Sequence, residues 1–148
     1  MFRGRFAHNI DKKGRVSIPA RFREILKRDY GSDQLIMTIF DSCLVAYPLA
    51  EWQQFEEKMK DFSQLKKEAK SFLRYFYSGA MECDIDDHGR ILIPPQFRQH
   101  ANLNKEIVFV GVMNRFEIWD KAVWEKEFAT YKESFDEISE SIAERMGL

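Results

Sequence analysis

Asp11 and Arg15, and again Asp86 and Arg90, place a carboxylate and a guanidinium four residues apart. Two chemistries are open to such an arginine. It can enter a DNA major groove, where paired N–H groups match guanine O6 and N7. It can instead close its own loop as an ion pair with the aspartate. Lys12 and Lys13 sit between Asp11 and Arg15, a position that fits phosphate contact or plain loop solubility. Arg21, Arg23, Lys27 and Arg28 read equally as phosphate contacts and as a solvated helix face.

Other reactive chemistry is sparse. Asp84, Asp86 and Asp87 could gather around a metal ion, but a strand end fits turn hydrogen bonding better. His8, His88 and His100 are scattered, with no Ser or Cys nucleophile paired to them. Cys43 and Cys83 lack CxxC spacing and read as free buried thiols in a reducing compartment. The chain therefore reads as a non-enzyme with no metal, no cofactor and no small-molecule substrate.

The net charge of −1 hides a polarity along the chain. Residues 1–28 hold nine bases and two acids, and residues 120–148 hold eight acids and four bases. A basic end suits a polyanion; the bland alternative is two solvated faces of opposite sign that meet in an oligomer.

The elements that must position these residues come in duplicate. Asp11-Lys12-Lys13-Gly14-Arg15-Val16-Ser17-Ile18-Pro19-Ala20-Arg21-Phe22-Arg23 aligns without a gap on Asp86-Asp87-His88-Gly89-Arg90-Ile91-Leu92-Ile93-Pro94-Pro95-Gln96-Phe97-Arg98. The Asp, Gly, Arg, Ile, Pro, Phe and final Arg are identical. Phe2, Phe6 and Ile10 share one parity and Arg3 and Arg5 the other, which is strand periodicity. Asp11 and Gly14 punctuate a loop, as do Asp86 and Gly89. Pro19 and Pro94 each suit the start of a short helix. Apolar runs at Leu35 to Phe40 and Ile107 to Val112 predict strands. Second strands follow at Cys43 to Tyr47 and Phe116 to Trp119, then helices with an early Trp52 or Trp124. Between the copies, Leu65, Ala69, Phe72, Leu73 and Phe76 fall on one helical face. Ile138, Ile142 and Met146 form a narrow stripe on an acidic C-terminal helix, suited to docking on a neighbouring subunit.

The expected organisation is a first repeat at 1–53, a helical connector at 54–77, a second repeat at 78–124 and a C-terminal helix at 125–148. The 148 residues are 45% hydrophobic and 32% charged, as in a globular protein. No apolar run nears the ~20 residues of a membrane helix, and the start carries no secretory pattern, so a cytoplasmic protein is expected. One half, with four short strands, buries little apolar surface. Two halves pairing into a small closed or interleaved β barrel cover each other's edges. The three tryptophans read as core or interface anchors, because Glu51 and Glu125 disfavour base stacking at Trp52 and Trp124.

The opening Met1-Phe2-Arg3-Gly4-Arg5-Phe6 and the duplicated Asp-x-x-x-Arg motif resemble the MraZ family of bacterial transcriptional regulators. The resemblance spans nearly the whole chain. It implies an α+β, β-rich fold of the AbrB/MazE/SpoVT kind. That fold is a double-split or swapped-hairpin β barrel made of two tandem repeats with pseudo-twofold symmetry and peripheral helices. It implies a sequence-specific regulator, in the sense of repression, of the division and cell-wall gene cluster that holds its own gene. The implied partner is double-stranded promoter DNA with short direct repeats, bound by a ring-shaped homo-oligomer in the nucleoid. Carried over, the DNA-contacting candidates are Arg15 first, then Lys13, Lys12, Arg3 and Arg5 near it, and Arg90; Asp11, Gly14, Asp86 and Gly89 shape the loops. The second copy replaces Lys12 and Lys13 by Asp87 and His88, and Arg21 by Gln96. An antitoxin-like protein-binding module is the alternative function.

Overall fold

A computed structural model of the chain describes residues 1–62 and 67–148. Leu65, expected on the connector's apolar face, lies outside them. The order is β1 (Arg5–Asn9), β2 (Arg15–Ser17), α1 (Ala20–Ile25) running into a π-helical turn (Leu26–Tyr30), β3 (Gln34–Phe40), β4 (Cys43–Pro48) and α2 (Leu49–Phe62). Then come α3 (Lys67–Phe72) with a π-helical turn (Leu73–Tyr77), β5 (Met81–Asp84), β6 (Arg90–Leu92), α4 (Pro95–His100), β7 (Glu106–Val112), β8 (Arg115–Asp120) and α5 (Lys121–Met146). The duplicated order of strands and helices expected from the repeat is present.

The halves do not fold side by side. A six-stranded antiparallel sheet runs β1-β7-β8-β4-β3-β5, and β2 pairs β6 in a separate ribbon. Each terminal strand pairs with the other half: Phe6 lies opposite Phe109, and Leu35 opposite Cys83. Exchanging each strand of one half for its counterpart reverses the sheet order onto itself, so a pseudo-twofold axis passes between β4 and β8. The sheet keeps two edges, β1 and β5, and does not close on itself. Interleaving is the physical solution to a half too small to bury its own core.

The apolar runs of β3 and β7 lack the in–out alternation of a half-exposed strand because both faces are covered. Leu35, Met37, Ile107 and Phe109 face the main core, together with Val16, Ile18, Phe22, Ile91, Ile93 and Phe97 from the ribbon and short helices. On the other face Ile36 and Val45 pack on Trp52 of α2 and Phe76 of the connector. Val108 and Val110 pack there with Trp119 and the start of α5. Thr38 Oγ1 donates to the Phe76 carbonyl at 2.7 Å, tying the connector to the sheet. Of the expected connector face, Ala69 and Phe76 are buried, while Phe72 stays partly exposed. Asp120 caps α5, accepting from Val123 N–H and from the Asn104 N–H. Beyond Trp124 the helix buries no residue, and Phe135, Ile138, Ile142 and Met146 are exposed along it.

Candidate nucleic-acid interface

Strand side chains alternate, so the β2–β6 ribbon has an inner and an outer face. Val16 and Ile91 pair and turn inward, almost fully buried. The pairs Arg15–Leu92 and Ser17–Arg90 therefore share the outer face. Arg15 and Arg90 are diagonal neighbours there, a relation that sets side chains roughly 7–8 Å apart. The duplication thus brings both motif arginines onto one surface, which their separation of 75 positions does not suggest. Ser17 and the 57% exposed Leu92 complete the surface, and the sequence carried no signal for either.

Both loops are built alike. Asp11 Oδ1 accepts the backbone N–H groups of Lys13 and Arg15, each at 2.9 Å, and Oδ2 accepts Arg15 Nε at 2.8 Å. Asp86 does the same with His88 N–H at 2.8 Å, Arg90 N–H at 2.9 Å and Arg90 Nε at 3.2 Å. The Arg15 N–H is the first cause holding the Asp11 carboxyl below its ordinary range, followed by the Arg15 side chain and Lys13 N–H. For Asp86 the Arg90 N–H leads, then the His88 N–H. The Asp86 carboxylate is thus engaged in turn chemistry. Among the described residues no group of three His, Cys, Asp or Glu side chains could hold a metal ion.

The two expected uses of the arginine are compatible in one geometry. Nε grips the aspartate, while the Nη groups make no hydrogen bond among the described residues. The Arg15 and Arg90 side chains are 37% and 33% exposed. A guanidinium held at Nε presents its remaining edge as a preset fork of donors.

Gly14 and Gly89 adopt φ of +88° and +77°, where a side chain is strained. A Cβ on Gly14 would stand 2.8 Å from the Ile93 carbonyl and 3.0 Å from the Arg98 guanidinium. A Cβ on Gly89 would stand 2.6 Å from Arg23. Each loop therefore rests on an arginine of the other half. Arg23 was expected as phosphate contact or solvated face; instead its Nε donates to the Ile18 carbonyl at 3.2 Å and its guanidinium lies under Gly89. The identity of Arg23 and Arg98 at the end of the aligned blocks was the signal for this role.

The loop tips differ. Lys12 and Lys13 are exposed on the first, and Asp87 and His88 on the second. Arg3 and Arg5, expected near Arg15, lie at the opposite end of β1 from the Asp11 loop. Arg5 and Asp11 stand six positions apart along extended chain, on the order of 20 Å. Arg5 instead stands over the Phe128 ring of α5, 4.6 Å from its centroid. Both belong to the face that α5 covers, because Arg5 pairs with Val110.

A family model described as "MraZ protein, putative antitoxin-like" matches residues 1–75 and again residues 76–146. The chain belongs to the MraZ family. Among its MraZ relatives, a transcriptional regulator MraZ of Syntrophobacter fumaroxidans is 45% identical over 142 residues, covering 96% of this chain and 94% of that one. One of Caldanaerobacter subterraneus subsp. tengcongensis is 46% identical, covering 96% of each. One of Desulforamulus reducens is 46% identical over 145 residues, covering 97% of this chain and 99% of its own. The two matches of the MraZ model meet at Tyr75 and Phe76, within the π-helical turn that precedes β5.

Proposed function

We propose that the chain is a DNA-binding transcriptional regulator that reads promoter DNA with the outer face of the β2–β6 ribbon. The observation that carries this reading is Arg15: gripped at Nε by Asp11, partly exposed, and carried on a two-stranded ribbon. A major groove admits such a ribbon. Arg15 supplies the leading base contact, Lys12 and Lys13 phosphate contacts, and Arg90 a second contact from the same face. Arg3 and Arg5 add positive potential from the far end of β1. The name shared by the relatives, transcriptional regulator MraZ, supports the same class of function.

One good bidentate arginine contact discriminates by only ~1–3 kcal/mol. A ring-shaped homo-oligomer that presents several ribbons to direct repeats would raise effective concentration enough for specific binding. The unpartnered apolar stripe of α5 supports subunit contact. On this reading the sheet and ribbon are the two parts of a double-split barrel of the AbrB/MazE/SpoVT kind. Their side chains share one core cluster. The protein represses the division and cell-wall cluster containing its own gene, acts in the cytoplasm at the nucleoid, and catalyses no reaction. Among the described residues no helix is long and apolar enough to cross a membrane.

The test is a mobility-shift titration at fixed salt with the promoter upstream of the chain's own gene, comparing intact and scrambled repeats. Wild type should prefer intact repeats, and Arg15→Ala should lose that preference while keeping its oligomeric state. Equal binding of both DNAs by wild type would remove the reading. The second reading, an antitoxin-like module, is favoured by the description of the family model. It predicts a second polypeptide co-purifying in fixed ratio and no preference among DNAs.

A further inference from the structure

The first loop is finished by the second repeat. Ile93 N–H donates to the Gly14 carbonyl at 2.8 Å. The Ile93 carbonyl in turn accepts Arg98 Nε at 3.0 Å. The Arg98 guanidinium then lies close enough to Gly14 that a Cβ there would meet its Cζ and Nε at 3.0 Å. Gly14, Ile93 and Arg98 thus form a closed circuit beneath the peptide that precedes Arg15. Arg98 is half-buried, and its place is fixed by Phe97 in the core and by its own carbonyl, which accepts Leu103 N–H at 2.9 Å.

We propose that Arg98 is a positioning residue for DNA reading by Arg15, so that the second repeat sets the conformation of the first repeat's basic loop. The inference rests on the DNA reading proposed above. Arg98 touches no base. It acts by holding Gly14 in its left-handed conformation, which directs the chain from Lys13 into Arg15 and aligns both N–H groups on Asp11. A preset fork must be held within a fraction of an ångström to match a base edge, and side chains behind it supply that precision.

The pseudo-twofold axis provides a matched control. Arg23 makes the mirror contact, with Nε on the Ile18 carbonyl and its guanidinium under Gly89. Ile18 N–H donates to the Gly89 carbonyl at 2.9 Å. Arg23→Lys and Arg98→Lys remove equivalent packing and keep the charge, so a purely structural role predicts the same loss in both. The experiment measures binding to intact and scrambled promoter repeats at matched salt for wild type, Arg15→Ala, Arg23→Lys, Arg98→Lys and the Arg15→Ala/Arg98→Lys double variant, with thermal midpoints beside them. Arg98→Lys should lower the preference for intact repeats about tenfold, the scale of one weakened base contact. Its affinity for scrambled DNA and its salt slope should stay at wild-type values. Arg23→Lys should match Arg98→Lys in thermal midpoint and lower the preference less, by about threefold, because it acts on the secondary contact Arg90 and not on Arg15. In the Arg15→Ala background Arg98→Lys should have no further effect, because its action passes through Arg15. Should Arg98→Lys fail to fold, Arg98→Gln, which keeps a planar donor, takes its place. Equal losses in the Arg23 and Arg98 variants, or full additivity with Arg15→Ala, would overturn the inference and leave the DNA reading standing. Wild-type preference in Arg15→Ala would remove both.

Discussion

The loops Asp11–Arg15 and Asp86–Arg90 share a skeleton and differ at the tip. Aspartate, glycine and arginine make the same hydrogen bonds in each, with bond lengths within half an ångström. The two residues between them are Lys–Lys in one and Asp–His in the other. The identical positions of the duplicated block are each used by the fold. Aspartate orders the turn, glycine makes room for the opposite half's arginine, isoleucine fills the core, proline starts the short helix and phenylalanine anchors it. The diverged tip residues are exposed. Duplication has therefore kept a reciprocal scaffold and left each exposed loop tip free to change.

The glycines test the skeleton most severely. Gly14→Val and Gly89→Val should each destabilise the protein by about 3 kcal/mol, through a strained positive φ and a collision with backbone or guanidinium atoms. For a chain of this size that lowers the thermal midpoint by on the order of 10 °C. Comparable losses would bear out the equivalence of the two halves; tolerance at one site alone would break it.

On the proposed function the tips should separate the halves in DNA binding. Lys12→Asp with Lys13→His should weaken binding to every DNA sequence and flatten the salt dependence by about 2 in log–log slope, one for each phosphate no longer neutralised. Asp87→Lys with His88→Lys should steepen the slope only if the second loop lies within reach of phosphate. An unchanged slope in the first variant would refute phosphate binding by Lys12 and Lys13.

Acid reports on both loops together. Each carboxyl is held below its ordinary range by N–H groups that are aligned on it only in the folded loop. Their stabilisation is full above the ordinary carboxylate value and is lost as pH falls through the lowered folded values. Urea titrations between pH 5 and pH 2 should therefore show a shallower acid limb for Asp11→Asn with Asp86→Asn, with each single variant contributing a similar share.

The smallest effect lies on β1 and again distinguishes the halves. His8 is held below its ordinary value by burial and then by Arg23. Its counterpart in the repeat, Cys83, has its thiol pushed up to about 11 by burial and stays neutral. Stability contributed by neutral His8 is complete above its ordinary value of 6.5 and is lost as pH falls through the lowered folded value. His8→Asn should flatten a slight fall in stability below pH 6.5, measured by denaturant midpoint, and no such feature should trace to Cys83.

Much of this architecture was legible beforehand. Parity of Phe2, Phe6 and Ile10, the prolines at helix starts and the aspartate–glycine punctuation all act through neighbours within a few residues. The structure bears these expectations out at Phe2, Pro19 and Asp11 alike. Adjacency along the chain sets Arg3 and Arg5 near Arg15, but it says nothing of strand length. Once β1 is extended, they stand at its far end. For the complementary reason the sequence leaves Arg23 open between phosphate contact and solvated face, and gives Arg98 no role beyond its identity in the repeat. Their partners Gly89 and Gly14 lie 66 and 84 positions away, in the other half.

By itself the sequence determined two copies of one unit, the loops that carry chemistry and the unequal charge of their tips, since turn preferences, periodicity and charge are local properties. Only tertiary structure decided that the copies interleave, that Arg15 and Arg90 share a face, and that each loop rests on the opposite half's arginine. Strand pairing and close packing join residues by shape across long separations, and a chain's order does not encode which distant surfaces will meet until both have folded.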